Sequence, residues 1–467
     1  MDGGTTAVLV TLIAYNALLI GIGVWASRRN ASIEDFYLAS RGLGSWVAAI
    51  SASASSSSAW TLLGVSGAAY AWGWPALWLF PATVGGFLLN WLWVAPRVMR
   101  LTAAEGAVTM SALLAPAGFG PQRRAILRLA ALIIVFSFVF YVASQFEAAG
   151  KAFESVFGLP KQLSILAGAG IVLAYTLLGG FWAVSVTDTV QGALMVVAAI
   201  VLPAAALAAV GGPAALGDGL QRAAGDGSPL AGLPLAAGAV FVVGILGIGI
   251  GYPGQPHVIN RFMALRDQRS LRQGRVIALV WAVLVYAGML LLGLCARVLY
   301  ADPGDAEQVL FHAAAALLPA VLAGVILAAV LSAIMSTADS QLLVAASAIS
   351  HDWRLGTGPP DASLRRSRLT VLIVLLLATA LALVWRADIF SRVLFAWAAL
   401  GSAFGPLLLL RLAGRETSAR GTLASMASGF GLTVLLSWLP DTPGDAAERV
   451  LPFCVALLVA VLARRRP

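Results

Sequence analysis

From end to end the chain divides into apolar blocks about twenty residues long, with arginines gathered in the gaps between them. Crossing the ~30 Å hydrocarbon core of a bilayer takes a helix of ~20 mostly apolar residues. Only helices or closed barrels can satisfy every backbone group inside that core. The blocks therefore read as about thirteen helical spans, near 5–26, 43–71, 75–99, 125–153, 162–180, 183–211, 233–256, 275–300, 317–350, 367–386, 389–411, 418–439 and 447–463. Only 11% of the 467 residues are charged, against about 25% in a soluble domain, so the chain cannot coat a soluble surface. An all-α polytopic membrane protein follows, with residues 1–467 forming a single transmembrane domain. The first block reads as a retained anchor rather than a cleaved signal, because no basic residue precedes it and Arg28 and Arg29 follow. Gly211 to Pro229 reads as an exposed loop, and Pro303–Gly304 and Pro440–Gly444 as turns. Cys295 and Cys454 are too few for a disulfide framework or a thiolate zinc site and read as small core residues.

The arginines give the orientation. Gaps after odd-numbered spans hold Arg28, Arg29 and Arg41; Arg97, Arg100, Arg123, Arg124 and Arg128; and Arg261, Arg266, Arg269, Arg272 and Arg275. They go on with Arg354, Arg365, Arg366 and Arg368; Arg411, Arg415 and Arg420; and Arg464, Arg465 and Arg466. That is 23 of the 30 basic residues, leaving Lys151, Lys161, Arg222, Arg297, Arg386, Arg392 and Arg449 for the other side. Basic residues stay on the cytoplasmic side, which predicts an outside N-terminus, a cytoplasmic C-terminus and an odd number of spans. The net charge of +9 is spread along these gaps rather than over one patch, so no nucleic-acid partner is expected.

Two spans carry signs of interruption. The second contains Ser51-Ala-Ser-Ala-Ser-Ser-Ser-Ser-Ala-Trp60, and the seventh contains Gly244-Ile-Leu-Gly-Ile-Gly-Ile-Gly-Tyr-Pro-Gly-Gln-Pro256. Irregular backbone at membrane depth survives only where it lines a site or a cavity. Each is the first span of one five-span set, at approximately 43–211 and 233–411. Paired interruptions at matching positions of two opposed repeats mark a transporter's central site. The alternative is that small residues merely let helices pack closely.

Four segments in order resemble the sodium:solute symporter family, most of all its sodium/proline symporters. They are Arg41-Gly-Leu-Gly with the serine run and Trp60, Gly179-Gly-Phe-Trp-Ala-Val-Ser-Val-Thr-Asp-Thr-Val-Gln191, Tyr252-Pro-Gly-Gln-Pro-His-Val-Ile-Asn-Arg-Phe262 and Met335-Ser-Thr-Ala-Asp-Ser-Gln-Leu-Leu343. The resemblance implies a LeuT-like inverted 5+5 repeat with one extra N-terminal and two extra C-terminal helices. It also implies a bacterial inner-membrane location and sodium-coupled symport of a small organic solute, an amino acid such as proline or a small carboxylate. The implied partners are sodium, the solute and the lipid bilayer, with no obligatory protein partner. A sodium ion would take backbone carbonyls of Ala54, Ser57 and Ala333 and the hydroxyls of Ser336 and Thr337. Those adjacent hydroxyls reach one ion only if the ninth span is pinned against the second; otherwise they bond back to their own helix. The solute would be lined by Ser56, Ser58, Trp60, Tyr141, Ser144, Tyr252, Gln255 and Pro256. Two departures stand out: Ser56 replaces an aspartate of the proline symporters, and Ile248 replaces a tryptophan, which predicts a wider, less aromatic pocket.

Glu147, Asp188 and Asp339 lie at apparent membrane depth, where a charge costs ~2.5–3.5 kcal/mol even on insertion scales, so each is a coupling candidate. Asp188 matches an aspartate that the family places near the cation path, and Asp339 holds its helix to a neighbour or serves function. Glu147 either supplies the charge missing at Ser56, or titrates as a proton-coupling group, or snorkels outward beside Lys151, its i+4 neighbour. The alternatives to sodium symport are a proton-coupled or uncoupled solute transporter and a transporter-like membrane sensor, which would need a separate partner because the chain ends just after its last span. A channel would show a repeated pore helix or filter motif. A membrane enzyme would need clustered acid–base groups, whereas His257, His312 and His351 fall at a cytoplasmic helix end, an outer segment and a cytoplasmic loop. If Glu147 couples transport to a cation, Glu147→Gln shifts the pH and cation dependence of uptake measured at several pH values; an unchanged profile removes that role.

Overall fold

The computed structural model describes residues 3–27, 38–176, 181–224, 232–301, 304–353, 360–385 and 388–464. Arg28, Arg29, Gly179, Gly180, Pro229, Pro303, Arg354, Arg386, Arg465 and Arg466 lie outside the described residues. Every predicted span meets helix: α1 (Gly3–Ser27), α2 (Ser45–Ser56), α3 (60–72), α4 (Trp74–Glu105), α5 (Gln122–Phe157), α6 (Lys161–Thr176), α7 (Phe181–Val210), α8 (Leu235–Ile250), α9 (Pro256–Met263), α10 (Gln268–Leu299), α11 (Ala320–Ser347), α12 (Pro360–Val384), α13 (Ile389–Leu412), α14 (Ala419–Leu436) and α15 (Ala446–Leu462). Eight helices among the described residues are long and apolar enough to cross a membrane, and α1 and α6 contain shorter apolar helices. No strand occurs among the described residues beyond isolated bridges such as Leu43 with Leu265.

Several local expectations are corrected. The predicted loop after Gly211 contains the helix Pro213–Ala224, whose apolar residues Leu216 and Leu220 are buried, and short helices also occupy Met110–Leu114 and Val309–Leu317. Cys295 is buried as expected, but Cys454 is exposed on α15. Arg261, counted among the loop arginines, is fully buried, and so is His257, assigned to a cytoplasmic helix end.

Helix limits follow from short-range chemistry. Asp267 starts α10 by accepting from the Ser270 amide at 2.7 Å, and Asp388 and Ser418 likewise cap α13 and α14 through Ser391 and Gly421. The Ser270 amide holds the exposed Asp267 carboxyl down to about 2. α5 stops where Gly158 turns to a φ of 62°, a left-handed conformation open to glycine.

The bundle closes around α2, which packs against α7, α9, α10 and α11. With no hydrophobic drive between helices in lipid, association depends on close van der Waals contact, which small residues permit. A Cβ on Gly288 of α10 would lie 2.0 Å from the Ala199 carbonyl oxygen of α7, and one on Gly293 would lie 2.2 Å from the Ser66 carbonyl oxygen of α3. On α7, a Cβ at Gly192 would strike Ile50 of α2 at 2.4 Å.

Polar clasps join the segments at each end. At the arginine-rich end Arg41 donates to Thr102 Oγ1 and to the carbonyls of Ala107 and Met263, while Arg411 pairs with Glu105 at 2.7 Å. At the opposite end Arg297 donates to the Tyr70 and Ala71 carbonyls.

Gly288→Ala should lower the thermal midpoint of the purified protein, with a loss of about 1–3 kcal/mol from overpacking. Gly431→Ala, whose Cβ would meet nothing within 4 Å, should stay within about 0.5 kcal/mol of the parent or gain slightly. Equal midpoints for the two variants would contradict the packing account.

Candidate functional site

Serine hydroxyls compete with backbone groups for hydrogen bonds, and the serine run breaks the second span where they crowd most. α2 holds through Ser56, Ser57 departs to φ −113°, ψ 75°, and helix resumes at Ala59 and Trp60. The break is narrower than the whole Ser51–Trp60 run. Freed backbone groups find side chains: the Ala59 amide donates to Gln145 Oε1 of α5 at 3.1 Å, and the Trp60 amide to Ser58 Oγ at 3.2 Å. Tyr141 brings its hydroxyl to 3.5 Å from Ser58 Oγ, and Ser144 bonds back to the Tyr141 carbonyl while accepting from Gln145 Nε2. Ser56 bonds back to the Ser53 carbonyl at 3.0 Å.

The seventh span breaks between α8 and α9, over Gly251 to Gln255, inside the predicted glycine–proline stretch. Pro256 opens α9 at a position where its missing N–H costs nothing. α13 serves this break: Trp397 Nε1 donates to the Ile248 carbonyl at 3.1 Å, and Gln255 Nε2 donates to the carbonyls of Trp397 and Gly251 at 3.0 and 3.1 Å. Gly401 lets α13 come so close that a Cβ there would lie 2.7 Å from Gly251 Cα. The Trp397 ring meets Tyr252 edge-on with centroids 4.7 Å apart. Trp397 of α13 thus places an indole beside Ile248 and Tyr252 at this break.

The two breaks meet at Tyr286 of α10, a residue in no motif of the sequence. Its hydroxyl stands 3.1 Å from Ser57 Oγ, 3.3 Å from Thr61 Oγ1 and 3.3 Å from the Tyr252 hydroxyl. Trp60 packs on Tyr286 and Phe390, with centroids 6.4 and 5.6 Å away. Trp60 Nε1 and Gln255 Oε1 are buried with no hydrogen-bond partner among the described residues.

α11 lies against the first break. Ser336 Oγ donates to the Ala54 carbonyl of α2 at 3.4 Å and to the Ala333 carbonyl at 3.3 Å, and Thr337 Oγ1 donates to the Ser55 carbonyl at 3.2 Å. These bonds hold α11 against α2 at the first break. Thr337 thus reaches the Ser55 carbonyl, and Ser57, expected to offer its carbonyl, directs its side chain to Tyr286.

Beyond this cluster, toward the arginine-rich end, Asp188 Oδ2 takes Ser51 Oγ at 2.6 Å and Arg261 Nη2 at 2.9 Å. Arg261 also donates to Ser51 Oγ, the His257 carbonyl and Ser340 Oγ, and lies 5.0 Å over the Phe181 ring. Neither carboxylate oxygen of Asp339 has a hydrogen-bond partner among the described residues.

Glu147 is separate from this set and forms an ion pair with Lys161. Its expected neighbour Lys151 instead pairs at 2.6 Å with Asp305 and with Glu307. Glu307 also accepts the Ile389 and Phe390 amides at the start of α13, and burial pushes its carboxyl above the ordinary range against those partners. No group of three or more His, Cys, Asp or Glu suited to a resident metal occurs among the described residues.

The profile of the sodium:solute symporter family matches residues 36–429. The chain is 36% identical over 442 residues to the osmoregulated proline transporter OpuE of Bacillus subtilis, with 92% of this chain and 88% of that protein covered. It is 35% identical over 450 residues to the sodium/proline symporter of Escherichia coli, with the same coverage. Among solved structures, a substrate-bound, outward-open Na+-coupled sialic acid symporter superposes with a TM-score of 0.82 at 16% identity, covering 99% of both chains. Mhp1, a nucleobase-cation-symport-1 family transporter in a closed conformation, gives 0.58 at 15% identity, covering 92% of this chain and 93% of that one. At such identities the likeness speaks for the fold, which is LeuT-like and all-helical.

Breaking a buried ion pair leaves a charge without its counter-ion and costs about 3–5 kcal/mol, whereas replacing both partners with apolar groups is often neutral. Asp188→Leu should therefore lower the thermal midpoint sharply, and Asp188→Leu with Arg261→Met should recover most of the loss. A double variant as unstable as the sum of the single ones would contradict the pairing.

Proposed function

The chain belongs to the sodium:solute symporter family, and on that premise we propose that it carries proline into the cell together with sodium. Sodium-coupled symport of a small organic solute is the activity of a transporter, not an enzyme. The observation that carries the assignment of the ion site is the meeting of Ser336 and Thr337 with the carbonyls of Ala54 and Ser55 at the first break. Sodium prefers a small cage of oxygens, and neutral carbonyls and hydroxyls provide one without stranding a full negative charge in lipid. In this reading Ala54, Ser57, Ala333, Ser336 and Thr337 hold the cation, joined by Ser55. The two hydroxyls turn their hydrogens away from the carbonyls and offer their lone pairs.

The solute pocket is proposed to lie between the two breaks, among Ser56, Ser58, Trp60, Tyr141, Ser144, Tyr252, Gln255 and Pro256. A zwitterion needs a donor for its carboxylate and an acceptor for its ammonium. The unpartnered Trp60 Nε1 and Gln255 Oε1 suit those two needs, and Tyr252, Trp397 and Tyr141 offer apolar faces to a ring. Relatives that transport proline, such as OpuE and the Escherichia coli symporter, support the choice of solute. The arginine-rich end is proposed to face the cytoplasm of a bacterial cell, with the N-terminus outside. Coupling to a proton is a second reading, favoured by the buried, unpartnered carboxylate of Asp339.

Uptake of radiolabelled proline into proteoliposomes, with and without a sodium gradient, tests both readings. Sodium-driven uptake is expected, and Ser336→Ala and Thr337→Ala should each raise the half-saturating sodium concentration about fivefold or more, since a lost hydroxyl ligand is worth about 1–3 kcal/mol. Uptake that ignores sodium and follows an imposed pH gradient would favour the proton. Unaltered sodium dependence in both variants would overturn the cage.

A further inference from the structure

We propose that the Tyr286 hydroxyl is the link through which bound sodium and bound solute sense one another; this rests on the symport reading above. The observation is the placement of one phenol against both interrupted helices. Ser57 and Thr61 belong to the first break and Tyr252 to the second, and all three bring their oxygens to within 3.1–3.3 Å of the same Tyr286 oxygen. The ring is fully buried and its seat is fixed by Phe87 and Trp60, at 6.2 and 6.4 Å. Tyr252 is fixed in turn by Asn90, which donates to its carbonyl at 3.2 Å, by Trp397, and by Gly86, where a Cβ would sit 2.1 Å from the tyrosine ring.

A phenol has one hydrogen to donate and two lone pairs to accept with. Thr61 donates to Tyr286 and fills one lone pair. Of Ser57 and Tyr252, one must then donate to Tyr286 and the other accept from it, so the chain has two arrangements that run in opposite directions. A cation held at the Ala54 and Ser55 carbonyls stands beside Ser57. It draws the serine's lone pairs toward itself and sends the serine hydrogen to Tyr286. An anionic group of the solute facing Tyr252 accepts that residue's hydrogen and obliges Tyr252 to accept from Tyr286. Both ligands thus select the same direction, from Ser57 through Tyr286 and Tyr252 to the solute carboxylate. Hydrogen bonds in such a run polarise one another, and separations above the usual 2.7–2.8 Å of hydroxyl pairs leave the run room to tighten. Two ligands that favour one of two arrangements raise each other's affinity reciprocally.

Tyr286 acts through Ser57 and Tyr252 and is a positioning residue, so its test reads coupling rather than activity. Equilibrium binding of labelled proline to the purified full-length protein is measured across sodium concentrations, and sodium binding is measured with and without saturating proline. In the parent each ligand should strengthen the other, by 5–150-fold in the usual range of coupling. Tyr286→Phe, which removes only the hydroxyl, should cut that enhancement at least fivefold while moving the sodium affinity without proline by less than twofold. Tyr252→Phe provides a second route should Tyr286→Phe fold poorly, with the same loss of coupling expected. Where both fold, the variant carrying both changes should lose no more coupling than either alone, because one broken link opens the whole run. Enhancement retained in either single variant, or losses that simply add, would overturn the link and leave the symport reading intact. A parent protein whose proline binding ignores sodium would overturn the symport reading, and this one with it.

Discussion

A backbone that leaves its helix inside hydrocarbon exposes N–H and C=O groups that water cannot reach, and each stranded group costs several kcal/mol. Both interruptions in this protein meet that constraint by borrowing partners from other helices. Gln145 of α5 takes the Ala59 amide, Ser336 and Thr337 of α11 take the carbonyls of Ala54 and Ser55, and Trp397 of α13 takes the Ile248 carbonyl. The polar groups that make the breaks tolerable are the same groups from which the proposed cation and solute sites are built. Site and fold are therefore one requirement seen from two sides.

Such borrowing works only when helices come close. Glycines at Gly192, Gly288, Gly293 and Gly401 put backbone against neighbouring chain at distances no side chain allows. Around this tight centre the buried pair of Arg261 and Asp188 ties α9 to α7, with Ser51 of α2 donating to Asp188 and Ser340 of α11 accepting from Arg261. Because a buried ion pair gives little net stability but is costly to break, it serves to fix the mutual placement of four helices more than to strengthen any one of them.

Apolar block length was enough to place helix in every predicted span, since the bilayer demands a fixed length of apolar chain wherever it is crossed. Both interruptions were legible as well, because a serine run and a glycine–proline run have strong local effects on backbone. Pairing was not legible. Glu147 and Lys151 are four apart on one helix and looked like partners, yet Lys151 turns to Asp305 and Glu307 and Glu147 to Lys161. Arg261 looked like one more loop arginine, because its charge says nothing of the acid that α7 holds beside it. The helix Pro213–Ala224 went unread because its glycines and aspartate resemble a turn.

By itself the sequence determined that the chain is a helical membrane bundle and where its helices break. Each of these depends on residues near one another in the chain or on the constant thickness of the bilayer. Tertiary structure alone decided that Thr337 of α11 meets the Ser55 carbonyl, that Trp397 packs on Tyr252, and that Tyr286 stands between the two breaks. Those contacts join residues that are 34 to 282 positions apart, and a single sequence carries no local signal for a distance that only packing sets.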